Sequence, residues 1–401
     1  MIVANDPLLS GHIGLAVVLI VALKVFITFA VLLVAVMMMI WFERKIVSDL
    51  QNRIGPNRTG PFGLLQSLAD GIKLFFKEDL IPDGADRWVF KLAPYLALVP
   101  AFLTFAVIPV GGDFSASHGG TISVFGHHTY MQLADPPIGV LFILAMSSIA
   151  VYGVLLAGWA SGSKYPLLGA VRASAQMVSY EAALGLSVAA VFLVTGQLST
   201  SGIVAKQQPW KWNLWVTGVV PFVIFFIAGL AEANRPPFDL VEAEQELTGG
   251  FNTEYSSIRF AMFYLAEFMN AVTLAAIIVT LFLGGPNGWY PSQGPTWLYG
   301  MVWFLLKLLV LLYVLVWIRG TLPRLRYDQL MDLGWKLLIP LSLGWLLLLV
   351  AVRVGNDRGW HVYFVIPIAV VVMAAVSGLF AGAMRQSRRN RELGELAEVL
   401  D

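Results

Sequence analysis

Runs of about 20 apolar residues recur along the whole of this 401-residue chain, and they constrain its fold more than any other feature. An α-helix needs a run of that length to cross the hydrocarbon core of a bilayer. Inside that core only helices and closed barrels satisfy their backbone hydrogen bonds. The runs therefore predict an all-α fold, a polytopic membrane helix bundle that forms one integral membrane domain over 1–401. About nine spanning helices are expected, at 14–40, 89–110, 137–159, 172–195, 214–232, 258–284, 298–319, 336–353 and 361–384.

The composition agrees with a membrane protein. Hydrophobic residues make up 58% of the chain and charged residues only 13%, which is about half the charged fraction of a typical soluble domain. The formal net charge is +1, and basic residues are not interleaved with aromatic ones as in nucleic-acid-binding segments. Membrane lipid is therefore an expected partner and nucleic acid is not.

Lysine and arginine are distributed unevenly between the two sides of the predicted bundle. With the N-terminus outside, 19 of the 26 fall on the inner side, and four lie in outer connections. Cytoplasmic loops carry such an excess of basic residues. We therefore expect the N-terminus on the outer, periplasmic face and the C-terminus in the cytoplasm. The inner segments that carry these 19 residues are 41–88, 160–173, 231–259, 319–336 and 385–401.

One inner segment, 61–78, has the pattern of an amphipathic helix. Leu65, Leu68 and Ile72 fall on one face, and charged residues such as Asp70 fall on another. This pattern predicts a helix that lies at the membrane surface. An ordinary helix packed on a partner protein would show the same pattern.

Several kinds of redox and nucleotide chemistry are excluded by what the sequence lacks. There is no cysteine, which removes iron–sulfur ligation by thiolates. The five histidines lie outside the predicted helices or at their outer ends, whereas a diheme cytochrome needs facing histidines inside the bundle. There is no phosphate-loop motif, and no GxGxxG motif follows a strand. No heme, iron–sulfur cluster, flavin or metal site is expected in this chain, so electrons for any redox reaction would come from a partner.

Charged residues inside the apolar runs are the strongest functional signal, because each costs about 2.5–3.5 kcal/mol to insert. Glu181 and Glu267 each lie roughly 13 Å below the inner surface, at 1.5 Å per residue. Glu43 and Glu232 close their helices on the same side. Buried carboxyls near one another can exchange protons near neutral pH. The alternative is that each acid is structural and paired with an arginine or lysine.

The inner connection 231–257 concentrates acids in an otherwise apolar protein. Pro236 and Pro237 end the preceding helix, and Asp239 is a candidate N-cap for a following one. Glu242 and Glu246 would share a face of that helix, with Glu244 pointing elsewhere. Acids so close together repel unless some hold protons or face arginines, and a merely solvated loop would need neither the proline break nor such tight glutamate spacing. A solvated acidic loop is the alternative, and the arginines at 317–336 are likewise explained by topology alone.

Four inner blocks resemble one family closely, the quinone-site membrane subunits of respiratory complex I, which is the NADH-quinone oxidoreductase of bacteria and mitochondria. They span 41–336 in order. The blocks are WFERKIVSDLQNRIGPNRTGPFGLLQSLADGIKLFFKED at 41–79, GWASGSKYPLLGAVRASAQMVSYE at 158–181, EANRPPFDLVEAEQELTGGFNTEYS at 232–256 and WIRGTLPRLRYDQLMDLGWK at 317–336.

The resemblance implies two sets of functional residues. The first is an acidic path for protons or charge that leads away from the quinone cavity. Its members here are Tyr180, Glu181, Glu232, Asp239, Glu242, Glu244, Glu246 and Glu267. The second set lines the quinone channel. Its members here are Glu43, Arg44, Arg53, Asp70, Glu78, Arg235, Phe263 and Arg319.

The resemblance also implies a substrate, partners and a location. The substrate is a quinone, ubiquinone or menaquinone, and the electrons arrive through a hydrophilic arm that carries flavin and iron–sulfur clusters. Adjacent membrane subunits pump protons, and the whole lies in a bacterial inner membrane. The ninth helix and the basic tail 385–401 match none of the family motifs. Two rival interpretations are the equivalent subunit of a membrane-bound hydrogenase-type complex and a stand-alone cation/proton transporter.

Overall fold

Helices form most of the computed structural model, which describes residues 6–9, 14–112, 114, 120–124, 126–207, 211–240, 249–290, 295–359 and 367. Short 3₁₀ turns occur at Pro7–Leu9, Pro61–Gly63 and Gly250–Asn252. The helices are α1 Leu15–Leu50, α2 Gln66–Phe76, α3 Arg87–Phe105, α4 Gly139–Ala160, α5 Lys164–Thr195, α6 Thr200–Lys206, α7 Asn213–Val216, α8 Val220–Glu232, α9 Ser257–Phe282, α10 Thr296–Thr321, α11 Tyr327–Asp332 and α12 Ile339–Asp357.

Seven of these helical segments are long and apolar enough to cross a membrane. They are α1, α3, α4, α5, α9, α10 and the continuous segment Tyr327–Asp357, in which a π-helical stretch joins α11 to α12. The shorter α8 occupies the place of the predicted helix 214–232. The predicted all-α polytopic bundle is thus confirmed. The predicted ninth helix and the tail 385–401 lie outside the described residues.

The most buried of these spanning helices is α9. It contacts α1, α3, α8 and α10. Its residues from Ala271 to Phe282, toward the side predicted to be outer, are buried on every face, as expected for a helix at the centre of a bundle. Its inner half carries Glu267 and Phe263 among small and aromatic neighbours. The two largest clusters of buried side chains both include α9 residues, so this helix connects the two halves of the protein.

Two expectations about connections were wrong. The first predicted span ended at 40, but α1 continues to Leu50 because buried positions recur at helical spacing beyond the apolar run, at Met39, Glu43 and Ser48. The outer segment 111–136 was interpreted as plain loop. It contains an antiparallel hairpin, with β1 at Thr121–Val124 and β2 at His127–Tyr130. The β-branched residues of β1 favour this structure.

Helix α2 packs beneath the inner end of α1, within the segment for which an amphipathic helix was predicted. Trp41 Nε1 donates to Phe62 O at 3.0 Å, and Ser67 Oγ donates to Met37 O at 3.2 Å. The apolar side chains on the other face of α2, such as Ile72, remain exposed. The start of α9 closes the far end of α2, since Ser257 Oγ lies 2.8 Å from Lys77 O and 3.1 Å from Leu74 O.

Candidate functional site: a buried arginine between two acids

Arg235 stands at the centre of the inner half of the bundle, in the turn that follows α8. Its guanidinium is buried, with Nη1 3.1 Å from Glu43 Oε2 on α1 and Nε 3.4 Å from Glu267 Oε1 on α9. The same group lies over the ring of Phe268, 4.1 Å from the centroid. One cation thus connects an acid predicted for the quinone channel with an acid predicted for the charge path.

The local sequence explains how Arg235 reaches this position. Asn234 adopts a φ of +51°, which reverses the chain at the end of α8, and Asn tolerates this conformation better than most residues. The Arg235 N–H then donates to Leu230 O at 3.1 Å. The proline pair that follows cannot donate backbone hydrogen bonds and so cannot extend the helix. The turn therefore points Arg235 into the bundle.

A second arginine completes a balanced charge cluster. Arg319, at the inner end of α10, forms an ion pair with Glu43 Oε1. Two carboxylates and two guanidinium groups are thus gathered from four separate elements. Buried charges persist only when they are paired in this way, because removing a single partner leaves an uncompensated charge in a medium of low dielectric constant.

Asp239 lies farther along the same segment and has its own arginine. Its Oδ2 is 3.1 Å from Arg324 Nη2, and the Leu325 N–H donates to Pro237 O at 3.0 Å. These contacts hold the segment after the proline pair against the connection between α10 and α11. The predicted helix that Asp239 would cap, with Glu242, Glu244 and Glu246, lies outside the described residues.

Glu181 and Glu232 differ from the acids around Arg235. Ser148 on α4 donates a hydrogen bond to Glu181, and Ser147 donates one to Glu232. The two carboxyls are close enough to interact electrostatically. Among the described residues neither forms an ion pair with an arginine or lysine. Two carboxyls held only by hydroxyl groups are suited to carrying a proton, since neither is bound to a fixed positive charge.

Glu232 also lines a cavity between the helices, which has an empty volume of about 730 Å³ including its opening. The cavity lies between α3, α4, α5, α8 and α9, and most of its wall is apolar. Polar groups gather near Glu232: Ser147, Asn270 and Thr273. None of the residues predicted to line the quinone channel borders this cavity.

Four of the predicted channel residues lie at the inner rim, around α1 and α2. Arg44 Nη1 is 2.7 Å from Asp70 Oδ2, and Gln66 Nε2 donates to Asp70 Oδ1 at 3.1 Å. Both members of the ion pair are partly exposed. Arg53 and Glu78 are exposed, and neither forms an ion pair with another described residue. Arg44 and Asp70 thus form one end of the predicted set, and Glu43, Arg235 and Arg319 form the other.

Two aromatic residues from the predicted sets, Phe263 and Tyr180, are packed inside the bundle. Phe263 packs edge-to-face against Phe251 and Tyr255, with both centroid distances 5.0 Å. Burial raises the pKa of the Tyr255 phenol, which donates to a backbone carbonyl. Tyr180 is fully buried, and its hydroxyl donates to Leu330 O at 2.8 Å rather than to a carboxyl. Each ring therefore packs close in sequence to an acid that was predicted for the path, Glu267 or Glu181.

Some residues at the site were not singled out from the sequence. Ser147 and Ser148 are two hydroxyl residues in the middle of the apolar run of α4, and that interruption is a signal for a polar partner across the bundle. Phe268 and Gln176 carried no such signal. Their importance depends on which helix faces they occupy, and only the three-dimensional packing gives that information.

Comparison with known proteins agrees with the motifs. A family model described as NADH dehydrogenase matches residues 23–350. The H subunit of NADH-quinone oxidoreductase from Frankia alni is 49% identical over 407 residues, covering 98% of this chain and 87% of that protein. The corresponding H subunits of Frankia casuarinae and Streptomyces avermitilis are 50% and 52% identical, covering 94% and 85% of this chain and 84% and 74% of their own lengths. The family match and these relatives, all H subunits of NADH-quinone oxidoreductase, show that the chain belongs to the NADH dehydrogenase family.

Proposed function

We propose that this chain is the membrane-arm subunit of a proton-pumping NADH–quinone oxidoreductase that forms the quinone-binding channel and begins the path for proton or charge coupling. The relatives named above support the assignment, since each aligns with this chain over most of its length. The observation that carries the coupling role is Arg235, which joins Glu43 to Glu267.

The inner rim has the chemistry that a quinone headgroup and tail require. A quinone carbonyl accepts hydrogen bonds, and the partly exposed guanidinium of Arg44 can donate them. Exposed apolar side chains such as Leu65 and Ile72 offer contacts to an isoprenoid tail. Reduction of the quinone takes up two electrons and two protons. Because the chain has no cysteine, we assign the electron donor to an iron–sulfur arm that docks on the inner loops.

The charge cluster can pass a signal from the channel to the acids deeper in the bundle. Two charges 4 Å apart interact by roughly 4 kcal/mol at an effective dielectric constant of 20, which is equivalent to about three pKa units. A proton that binds to the Glu43 carboxylate neutralises it and weakens its attraction to Arg235, so the guanidinium then interacts more strongly with Glu267. We propose that Glu181, Glu232, Asp239 and the acids at 242–246 continue this path, with Tyr180 packed beside it.

The location follows from the same assignment. We propose a bacterial inner membrane, with the N-terminus outside and the C-terminus in the cytoplasm, where the basic inner segments meet the hydrophilic arm. Adjacent membrane subunits would receive the signal from the acidic path. The same mechanism serves ubiquinone and menaquinone, since both present carbonyl acceptors to the rim.

Replacement of Arg44 by Ala tests the quinone role in the intact complex in its native membrane. Arg44→Ala and Asp70→Asn should each lower NADH-driven quinone reduction and inhibitor binding, while NADH oxidation by a water-soluble artificial acceptor stays at the wild-type level. Arg353→Ala is the matched control, because Arg353 forms only a surface ion pair with Asp357 at 3.6 Å. Normal quinone kinetics in both rim variants would remove them from the channel. Ion exchange by the purified chain alone in liposomes would favour the transporter interpretation.

A further inference from the structure

Gln176 on α5 binds both ends of the turn that carries Arg235. The side chain is completely buried. Its Nε2 donates to Ala231 O at 2.7 Å, near the end of α8, and to Phe238 O at 2.8 Å, just after the proline pair. These two carbonyl groups are seven residues apart in the chain. A single amide group thus sets the distance between the beginning and the end of the turn.

The chemistry of the contact calls for a neutral group with two donor hydrogens. A primary amide supplies two N–H bonds from one nitrogen without a charge. A hydroxyl group would supply only one, and an ammonium group would add a cation close to Arg235. The Oε1 atom of Gln176 is buried and has no hydrogen-bond partner among the described residues. That unpaired acceptor is unfavourable, so the favourable contribution of the side chain comes from the two hydrogen bonds that it donates.

The remaining contacts of the turn come from other directions. The backbone of Arg235 is bonded to α8 itself, and Pro237 and Asp239 are bonded to the connection before α11. In the described part of the chain, Gln176 supplies the hydrogen bonds from α5 to the backbone of this turn. Helix α5 also carries Glu181, the next acid of the proposed path. The Gln176 amide therefore holds the turn that carries Arg235 in place against the helix that carries Glu181.

We infer that Gln176 is a positioning residue for the charge path, one that holds Arg235 in register with Glu43 and Glu267. This inference rests on the proposed function. Without the two bonds the turn can shift relative to α5, and Arg235 loses simultaneous contact with its two acids. Electron entry into the complex is unaffected, because the Gln176 side chain is completely buried and bonds none of the rim residues around α1 and α2. The coupling of quinone reduction to proton movement is what depends on it.

The test replaces Gln176 by Glu and by Leu in the intact complex. Ionised glutamate has no donor hydrogen and repels both carbonyl groups, whereas glutamic acid donates one O–H bond. Gln176→Glu should therefore lose quinone-linked turnover per assembled complex relative to wild type as the pH is raised, by about tenfold for the hydrogen bonds lost. Gln176→Leu lacks donors at every pH, so its activity relative to wild type should be low and independent of pH. Both should keep the wild-type rate with an artificial acceptor.

Gln207→Glu is the matched control. Gln207 is also completely buried, and its Nε2 donates to the backbone carbonyl of Thr280 at 2.9 Å, but it lies near the outer side, away from the acidic path. It should show no pH-dependent loss of turnover per assembled complex. The charged groups around the turn are the same in wild type and in every variant. The ratio of a variant's turnover to that of wild type therefore reports the effect of the substituted side chain. These charged groups are Glu43, Glu181, Glu232, Arg235, Asp239, Glu267, Arg319 and Arg324.

Two results would overturn the inference: wild-type turnover in both Gln176 variants, or the same pH-dependent loss in Gln207→Glu. Failure of the proposed function would look different. In that case Glu267→Gln and Arg44→Ala would also leave quinone reduction and proton pumping intact. If those two variants are impaired while the Gln176 variants are normal, only the positioning role is wrong.

Discussion

Arg235 and Glu43, which are 192 residues apart in the chain, form a buried ion pair with 3.1 Å between Nη1 and Oε2. The Nε atom of the same guanidinium lies 3.4 Å from Glu267. An acid at the inner end of α1 and an acid deep in α9 therefore share one cation. Any change in the charge of one acid alters the field at the other through a group that both contact. The charges of Glu43 and Glu267 are therefore coupled to each other through Arg235.

Removal of the shared cation should be more damaging than removal of either acid. Arg235→Gln leaves Glu267 and Glu43 buried without the guanidinium between them, and breaking such a pair typically costs about 3–5 kcal/mol. We expect less assembled complex and little quinone-linked turnover. The double variant Arg235→Gln with Glu267→Gln removes the stranded charge as well, so it should recover assembly without recovering turnover.

A double-mutant cycle on the amount of assembled complex measures this relationship. Residues in direct contact usually show interaction energies of about 0.5–3 kcal/mol. If the effects of the Arg235 and Glu267 substitutions on the amount of assembled complex were simply additive, the two residues would not share an ion pair. Recovery of full turnover in the double variant would contradict the coupling role, because the path would then work with both charges missing.

The serine-bound acids should behave differently from the arginine-bound ones. Glu181→Gln retains an acceptor for the Ser148 hydroxyl and breaks no ion pair among the described residues, so assembly and artificial-acceptor activity should equal wild type. Proton pumping and quinone-linked turnover should fall, because an amide cannot take up the proton. Glu267→Gln should also reduce assembly, since it leaves half of Arg235 unpaired.

Asp357→Asn is the control for this acid-to-amide comparison. Asp357 lies at the end of α12, where its one ion pair among the described residues is an exposed i,i+4 pair with Arg353, and such pairs contribute little to stability. It should match wild type in both assembly and pumping, as measured in membrane vesicles with a pH-sensitive dye. Undiminished pumping in Glu181→Gln would remove Glu181 from the path.

The spanning helices could be predicted because a long apolar run is a local property of the sequence. Helix α9 illustrates this, since its predicted range 258–284 and its observed range Ser257–Phe282 nearly coincide. The end of α1 was missed because its last three turns carry charged residues, so the apolar run stops before the helix does. The outer hairpin was missed because four-residue strands leave too short a pattern.

The site could be predicted only as a set of residue types. Charged groups inside apolar runs marked Glu181 and Glu267, since burial of a charge is costly wherever the helix packs. Which acid would meet an arginine and which a serine depended on the relative rotation of α1, α4 and α9. Gln176 shows the same limit, because an amide in an apolar run does not reveal which backbone carbonyls it will face.

Lys307 should be a major determinant of stability on the outer side. Its buried ammonium group donates to three backbone carbonyls, at 2.7 Å to Leu283 O, 2.9 Å to Gly285 O and 2.7 Å to Asn287 O. Lys307→Met strands all three acceptors, and each buried unsatisfied group costs about 1–3 kcal/mol. We expect a lower thermal unfolding midpoint and less of the protein in the membrane. Lys91→Met, at an exposed position of α3, is the control and should change neither quantity.

Asp135, which lies before α4 in the outer connection, should make the protein less stable at neutral pH than at acidic pH. Burial raises the pKa of its carboxyl above the ordinary value of 3.8, in spite of hydrogen bonds from Ser201. Because the folded-state pKa exceeds the unfolded one, the protonated form favours folding. That contribution is complete below the unfolded pKa and is lost as the pH rises through the folded one. Asp135→Asn should therefore raise the thermal unfolding midpoint at neutral pH and reduce its dependence on pH.

The neighbouring acid Asp6 provides the control for this pH prediction, because its environment differs. Asp6 forms a buried ion pair with Lys24 at 2.9 Å and accepts from Thr129 at 2.8 Å. Asp6→Asn leaves the Lys24 ammonium group without its carboxylate, so the unfolding midpoint should fall at neutral pH. The dependence on pH due to Asp135 should persist in reduced form, because burial is the main cause of its raised pKa and the charge of Asp6 is a smaller one. Thermal melts of the purified complex across the acidic to neutral range measure both effects. A lower midpoint for Asp135→Asn at neutral pH would show that the ionised carboxylate stabilises the outer connection, contrary to the cost of its burial.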